Sequence, residues 1–238
     1  MPDPYSQVLY DIHFNEQQAP LYYLNGEERE EVDVEWYFDV VGSEGDETGE
    51  IESWVDGPLL DLGAGVGRHT LYYQEKFQTV AIENREPLVE VMEDRGVDDA
   101  RVADMFALRD IFERDRFQSA LAVGTQVSLV GSMGGLRQFL CDLAYVTTPD
   151  ATVVFDGFDP EHERNKEKID YHEDPTPGLG YRVLQMEYNG ILGEPWMYRL
   201  FSPEKMREAV IGTGWEIAKI ESGDDGWGHL YNVFLEKQ

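Results

Sequence analysis

Cysteine is nearly absent from this chain: of its 238 residues, Cys141 alone carries a thiol. An internal disulfide is therefore excluded, and the composition suits a reducing cytoplasm. Lysine is almost as scarce, confined to Lys76, Lys166, Lys168, Lys205, Lys219 and Lys237. With 19 Lys and Arg against 48 Asp and Glu, the formal net charge is −29. Phosphate backbones are gripped by clustered cations, so this balance argues against a nucleic acid as partner. No apolar run reaches the length of a membrane span, and Met1-Pro2-Asp3-Pro4-Tyr5 does not begin a secretory leader. Neither membrane nor export is expected.

The acids are spread along the chain and do not form one block. Such spreading fits a solvated acidic shell, as in proteins of salt-loving organisms, where salt screens self-repulsion. A dock for a basic partner is the alternative. A hydrophobic share of 42%, with 12% aromatic residues, is that of a globular chain, not a disordered one. The length fits one domain, or one domain with a cap, as a monomer or homodimer.

The stretch from Leu59 to Tyr73 organises the rest. Leu59, Leu60 and Leu62 form a short apolar strand, three glycines follow, and a helix begins. Glycine lets the backbone turn sharply and lets a ligand approach with no Cβ in the way, and the new helix offers unpaired N–H groups there. A dinucleotide turn needs G-x-G-x-x-G, which from Gly63 would place its third glycine where Arg68 stands. The chain instead has Asp61-x-Gly63-x-Gly65-x-Gly67.

In that spacing the segment resembles motif I of the class I S-adenosylmethionine-dependent methyltransferases, and the likeness runs to the C-terminus. It implies a Rossmann-like α/β fold: seven mostly parallel strands in the order 3-2-1-4-5-7-6, the last antiparallel. The apolar runs agree, with strands at 59–62, 79–82, 100–103, 119–123 and 151–155 alternating with helices. Residues 1–56 are expected to form a helical cap, with helices near 5–12 and 27–41 and an acidic loop at 42–49. Residues 57–238 are expected to form the catalytic domain. Within it, 157–201 is an insertion containing a charged helix at 159–169 and a hairpin, 181–188 against 196–201, arched over the cofactor edge. Ser202 and Pro203 open the next helix as cap and first position.

The resemblance assigns roles to strand tips. Asp61, Gly63 and Ala64-Gly65 cradle the methionine end. Glu83, 20 residues after Gly63, takes the ribose diol. Asp104 accepts from the adenine amino group, the Met105 N–H serves the ring, and Asn84 with Arg85 flanks it. Gly124 and Gln126 complete the methionine side. Tyr10, His13, Trp36 and Tyr37 can face the cofactor or serve as ordinary packing. For a general base the candidates are Asp156, His162 and Tyr181, then Asp159, Tyr198 and His229; no metal is expected. The implied reaction is methyl transfer to a small molecule. A protein or nucleic-acid methyltransferase, or a non-enzymatic binding module, remains open.

Overall fold

The computed structural model describes residues 3–25, 28–39, 41, 48–168, 170–224 and 229–238. The acidic loop expected over 42–49 falls mostly outside them. The first elements are α1 (Pro4–His13), β1 (Leu21–Asn25), β2 (Glu28–Val32), a 3-10 turn (Glu35–Phe38) and α2 (Thr48–Glu52). The alternating region holds β3 (Leu59–Leu62), α3 (Arg68–Tyr73), β4 (Thr79–Glu83), α4 (Glu86–Asp94), β5 (Ala100–Val102), α5 (Leu108–Ile111) and β6 (Phe117–Ala122). A second 3-10 turn (Gln126–Val130), α6 (Met133–Val146) and β7 (Thr147–Phe158) complete it. After it come α7 (Glu163–Lys166), β8 (Tyr171–Glu173), β9 (Leu179–Tyr188), β10 (Ile191–Leu192), β11 (Trp196–Phe201), α8 (Pro203–Val210), β12 (Trp215–Asp224) and β13 (His229–Lys237).

The main sheet has seven strands in the order β12-β13-β7-β6-β3-β4-β5, with β13 antiparallel to both neighbours and β3 to β7 parallel. This is the expected Rossmann-like order. Side chains alternate across it. Leu60, Leu62, Val80, Ile82, Ala120, Ala122, Val153 and Phe155 bury into one core with Leu136, Phe139 and Leu140 of α6 and Met206 of α8. Leu59, Leu121 and Val154 turn the other way, toward Ile51 of α2 and Tyr73 of α3. Full burial of each such leucine contributes about 1.5–3 kcal/mol. The same alternation sends Asp61 and Glu83 to the face of α3 and α4, an unusual place for carboxylates.

The N-terminal expectation needs correction. The helix near 5–12 is present as α1, capped by Asp3, whose side chain accepts from the Tyr5 N–H. The helix expected over 27–41 is not formed. That region is β2, paired antiparallel with β1 from Leu21↔Val32 to Asn25↔Glu28, followed by the single 3-10 turn. β1 in turn pairs with β9, at Leu21↔Tyr188. The expected hairpin exists, with Trp196↔Leu184 across β11 and β9, but it belongs to a six-stranded sheet built from β1, β2 and β8 to β11. The charged helix of the insertion is also shorter than expected, limited to Glu163–Lys166.

This second sheet forms a lid on the side of the domain that carries the glycine turn. Leu21, Leu184, Met186 and Tyr188 bury a common core with Tyr5, Val8 and Leu9 of α1, Val66 of the glycine turn, and Leu88 and Val91 of α4. The lid is therefore seated on the elements that flank the glycine turn.

Candidate functional site

The turn after β3 is built from left-handed backbone: Gly63, Gly65 and Gly67 have φ of +65°, +58° and +83°. A side chain is disfavoured at all three. Their surroundings differ. A Cβ on Gly67 would fall 2.9 Å from Val97 Cγ2, and one on Gly63 would fall 2.4 Å from the amide oxygen of Gln126. Gly65 is buried, yet a Cβ there would meet no atom within 4 Å. Buried backbone bordering open space is the shape of a ligand cradle.

Glu83 stands beside it at the tip of β4, 5% exposed. Its Oε1 accepts from the backbone N–H of Asn84 at 2.8 Å and of Arg85 at 3.2 Å, and from the Arg85 guanidinium at 3.1 Å. Among the described residues, its Oε2 accepts the Gly65 N–H alone, at 3.3 Å. A carboxylate offers about four lone-pair sites. Oε1 is saturated, and Oε2 keeps room for a hydroxyl donor. Arg85 also donates to Asp3 at 2.6 Å and lies 4.5 Å from the Trp196 ring and 5.4 Å from the Tyr5 ring. One guanidinium thus ties the carboxylate at the β4 tip to the cap of α1 and to the lid sheet.

Asp61, at 3% exposure, points at α3 and accepts from the Thr70 hydroxyl at 2.6 Å. Burial pushes its carboxyl up to about 6; the Thr70 hydrogen bonds oppose this and the nearby Glu83 charge adds to it. In this structure its contact braces β3 against α3.

Beyond β5, Asp104 is exposed and accepts from the Phe106 N–H at 2.8 Å, forming a tight turn. Met105 is buried, and Phe106 packs edge-on against Phe139 at 5.9 Å while staying 41% exposed. After β6, Gly124 has φ +88° and Thr125, a β-branched residue, has φ +59°. That strain is held by Asp156 at the end of the neighbouring strand. Its two oxygens accept the Gly124 N–H at 3.1 Å and the Thr125 N–H at 2.6 Å. The Gln126 amide donates to the Gly124 carbonyl at 3.3 Å and lies against Gly63. Asp61, Gly63, Ala64, Gly65, Glu83, Asn84, Asp104, Met105, Gly124 and Gln126 therefore all fall along one edge of the main sheet, at the carboxyl ends of parallel strands, where open α/β folds bind ligands.

The candidate bases separate. Asp156 is engaged by the turn after β6. His162 caps the short α7. Tyr181 stands opposite His172, stacked at 5.5 Å, and shares its face of β9 with Val183, whereas Leu184 and Met186 face the lid core. It is thus turned away from the α1 side. The side chain of His229 lies outside the described residues. Among the N-terminal aromatics, Trp36 and Tyr37 stack at 3.9 Å, with the Arg68 guanidinium 5.9 Å from the Trp36 ring. His13 instead bonds Asp94 of α4 at 2.7 Å, and Tyr10 packs with Phe14 at 4.6 Å. Thr70, Tyr23, Arg182 and Trp196 escape a sequence reading. Tyr23 had a signal, the apolar-aromatic run 21–24 ending in Asn25-Gly26, a hairpin dipeptide.

Two clefts elsewhere are lined mainly by polar side chains. One, of about 580 Å³, lies between Glu28-Arg29-Glu30 and Arg164, Glu167 and Lys168. The other, of about 460 Å³, lies near Gln78-Thr79 and Asp98-Asp99, at the opposite edge of the sheet. Among the described residues, no group of three or more His, Cys, Asp or Glu is placed to hold a metal ion. No described helix is long and apolar enough to cross a membrane.

No protein-family model matches the sequence. No curated protein matches it either. Solved structures do. An S-adenosylmethionine-dependent methyltransferase from Bacteroides fragilis, crystallised with S-adenosyl-L-homocysteine, superposes with TM-score 0.76 at 23% identity, covering 100% of this chain and 97% of that one. The CcbJ methyltransferase of Streptomyces caelestis gives 0.61 at 12% identity, covering 79% and 86%. The 1,6-didemethyltoxoflavin-N1-methyltransferase of Burkholderia thailandensis, with 1,6-didemethyltoxoflavin and S-adenosylhomocysteine bound, gives 0.52 at 16% identity, covering 76% and 70%. At these identities the likeness establishes the fold: this chain has the methyltransferase architecture, and the first of these likenesses takes in the lid sheet as well.

Proposed function

We propose that this chain is an S-adenosylmethionine-dependent methyltransferase acting on a small molecule. The observation that carries the reading is the open space at Gly65 beside the under-used oxygen of Glu83, at the sheet edge where this architecture binds ligands. The small-molecule part is supported by the lid, which covers the site with a packed sheet, and by the small acceptor bound to the Burkholderia enzyme.

The residues fit the cofactor. Gly65 offers backbone that borders open space, with Gly63 and Ala64 beside it in the turn. Glu83 would hold the ribose diol through Oε2. Asp104 and the Met105 N–H would read the adenine edge, with Asn84 and Arg85 at its flank. Gly124 and Gln126 would meet the amino-acid end, and Asp61 holds β3 and α3 together behind the turn. When bound, S-adenosylmethionine supplies a methyl group on a sulfonium; an acceptor lone pair forms the new bond to carbon while the C–S pair stays on sulfur. The chain's share of the work is alignment and exclusion of water. The Asp156 clamp serves alignment by fixing the turn after β6, and the Asp3–Arg85–Glu83 chain serves exclusion by fastening α1 over the cradle. A proton carried by the acceptor leaves to solvent; no base is assigned.

Calorimetry with S-adenosylmethionine, S-adenosylhomocysteine and NAD in molar KCl tests the reading. The first two are expected to bind and NAD is not, with labelled methyl then appearing in low-molecular-weight fractions of a metabolite extract. Binding of NAD alone would overturn it. The acidic shell belongs to the same proposal: it fits a protein working in concentrated salt, whose unfolding midpoint should rise from 0.2 to 2 M KCl.

A further inference from the structure

Four tyrosines from four separate segments converge beneath the lid: Tyr5 of α1, Tyr23 of β1, Tyr37 of the first 3-10 turn and Tyr198 of β11. The rings of Tyr5 and Tyr37 meet edge-to-face at 5.6 Å, and Trp196 lies 5.4 Å from Tyr5 and 6.2 Å from Tyr198. Tyr198 stands across from Arg182 in the β11–β9 register, and Tyr23 across from Met186 in β1–β9, so both share the lid sheet's inner face. Tyr23, Tyr37 and Tyr198 lie within electrostatic reach of one another, and Arg85 reaches Tyr5, Tyr37 and Tyr198. The tyrosines therefore form a wall that starts at Glu83 and Arg85 and ends at Arg182.

Two properties set this wall apart from the apolar core it packs against. Burial holds the hydroxyls of Tyr23, Tyr37 and Tyr198 above the usual phenol range, yet each residue keeps accessible surface. The hydroxyls of Tyr23 and Tyr198 make no hydrogen bond among the described residues, and neither is sealed from solvent. Polar groups desolvated to this degree normally find partners. The two guanidinium groups that face the wall, Arg85 and Arg182, are already engaged. Arg182 grips Asp170 with Nε and Nη2, at 2.6–2.9 Å, and Asp170 is 2% exposed. The guanidinium of Arg85 occupies the faces of Trp196 and Tyr5, which leaves them closed to a second cation.

We propose that this wall lines the acceptor subsite and that the subsite takes a flat, uncharged aromatic or heteroaromatic molecule bearing oxygen or ring nitrogen, held by the Tyr23 and Tyr198 hydroxyls. A charged acceptor would lose its hydration there, while Arg85 and Arg182 are held by Asp3, Glu83 and Asp170. The inference rests on the methyltransferase reading, so its test separates the two. S-adenosylhomocysteine is titrated first into wild-type protein and the Tyr23→Phe/Tyr198→Phe double variant. The saturated complexes are then titrated with 4-hydroxyacetophenone, 2-naphthol and 4-quinolone, and with tetramethylammonium and benzoate. Expected are equal S-adenosylhomocysteine affinity in both proteins and binding of at least one neutral aromatic by the wild type. The double variant should bind that aromatic tenfold or more weakly, and the charged probes should not bind. Full S-adenosylhomocysteine binding with no neutral aromatic bound, with equal aromatic affinity in both proteins, or with tetramethylammonium or benzoate bound more tightly, overturns the subsite alone. Failure of the wild type to bind S-adenosylhomocysteine overturns the methyltransferase reading beneath it.

Discussion

Asp61→Asn isolates the cost of a buried charge from everything else at the glycine turn. The carboxyl sits at 3% exposure with the Thr70 hydroxyl at 2.6 Å, and burial moves it from 3.8 to about 6. At about 1.4 kcal/mol per pH unit, that displacement corresponds to about 3 kcal/mol in favour of the protonated form of the folded chain. The sign follows from linkage. Below about pH 4 both folded and unfolded chains carry the proton, and this group costs the fold nothing. Between about pH 4 and 6 the folded chain keeps a proton the unfolded chain has lost, so stability falls as pH rises. Above about 6 both are ionised and the full penalty stands. Asparagine keeps the shape and an oxygen to accept from Thr70, but never ionises. Urea unfolding of both proteins at fixed ionic strength, from about pH 3.5 to 8, should therefore give similar stabilities at the acid end. At the alkaline end the variant should be ahead by up to about 3 kcal/mol. The difference between the two curves is the readout, because it cancels what the two chains share. A difference that does not change with pH would refute the assignment of the penalty to Asp61.

Other consequences are open to direct measurement. Gly65→Ala places a methyl group in open space at φ +58°, so stability should fall by only about 1 kcal/mol while S-adenosylhomocysteine affinity, read by calorimetry, drops at least tenfold. Glu83→Gln keeps the size but removes the charge that accepts from Gly65 and Arg85, and should cost about 1.5–3 kcal/mol in S-adenosylhomocysteine binding. Thr125→Gly relieves a left-handed β-branched residue at φ +59° and should raise thermal stability by about 1 kcal/mol while loosening the turn that Asp156 holds. Arg85→Ala cuts the tie between Glu83, Asp3 and Trp196; hydrogen exchange should then speed up in α1 before it does in β4.

The two halves of the site differ in how far the chain sequence exposes them, and the difference has a physical origin. The cofactor half is local. Leu59 to Tyr73 encode strand, turn and helix within fifteen residues, Glu83 ends its own strand, and Ser132 and Ser202 cap α6 and α8 next to the residues they serve. Each of those features is a short-range preference that the main sheet reinforces, so periodicity and turn chemistry reveal it. The lid half is held by pairings across the chain. The segment Glu28-Arg29-Glu30-Glu31-Val32 is rich in helix formers and reads as helix on its own. It is a strand because β1 offers it a ladder, and β1 is anchored to β9 through Leu21↔Tyr188. Strand preference depends on such partners more than on composition, which is why the helix expected over 27–41 fails while the strand expected at 59–62 is placed to the residue. The Asp3–Arg85 contact, bridging 82 positions, has no sequence spacing that could announce it. It follows that the residues most open to change in this architecture are those of the lid, since Tyr23, Tyr37 and Tyr198 can be exchanged without disturbing the turn that would hold the cofactor. Under the proposed function, the acceptor would be written in the long-range contacts and the cofactor in the short-range ones. Swapping the lid's inner-face residues should therefore alter what is methylated while leaving S-adenosylhomocysteine affinity within about twofold, a result that binding and product analysis on the same variants can check.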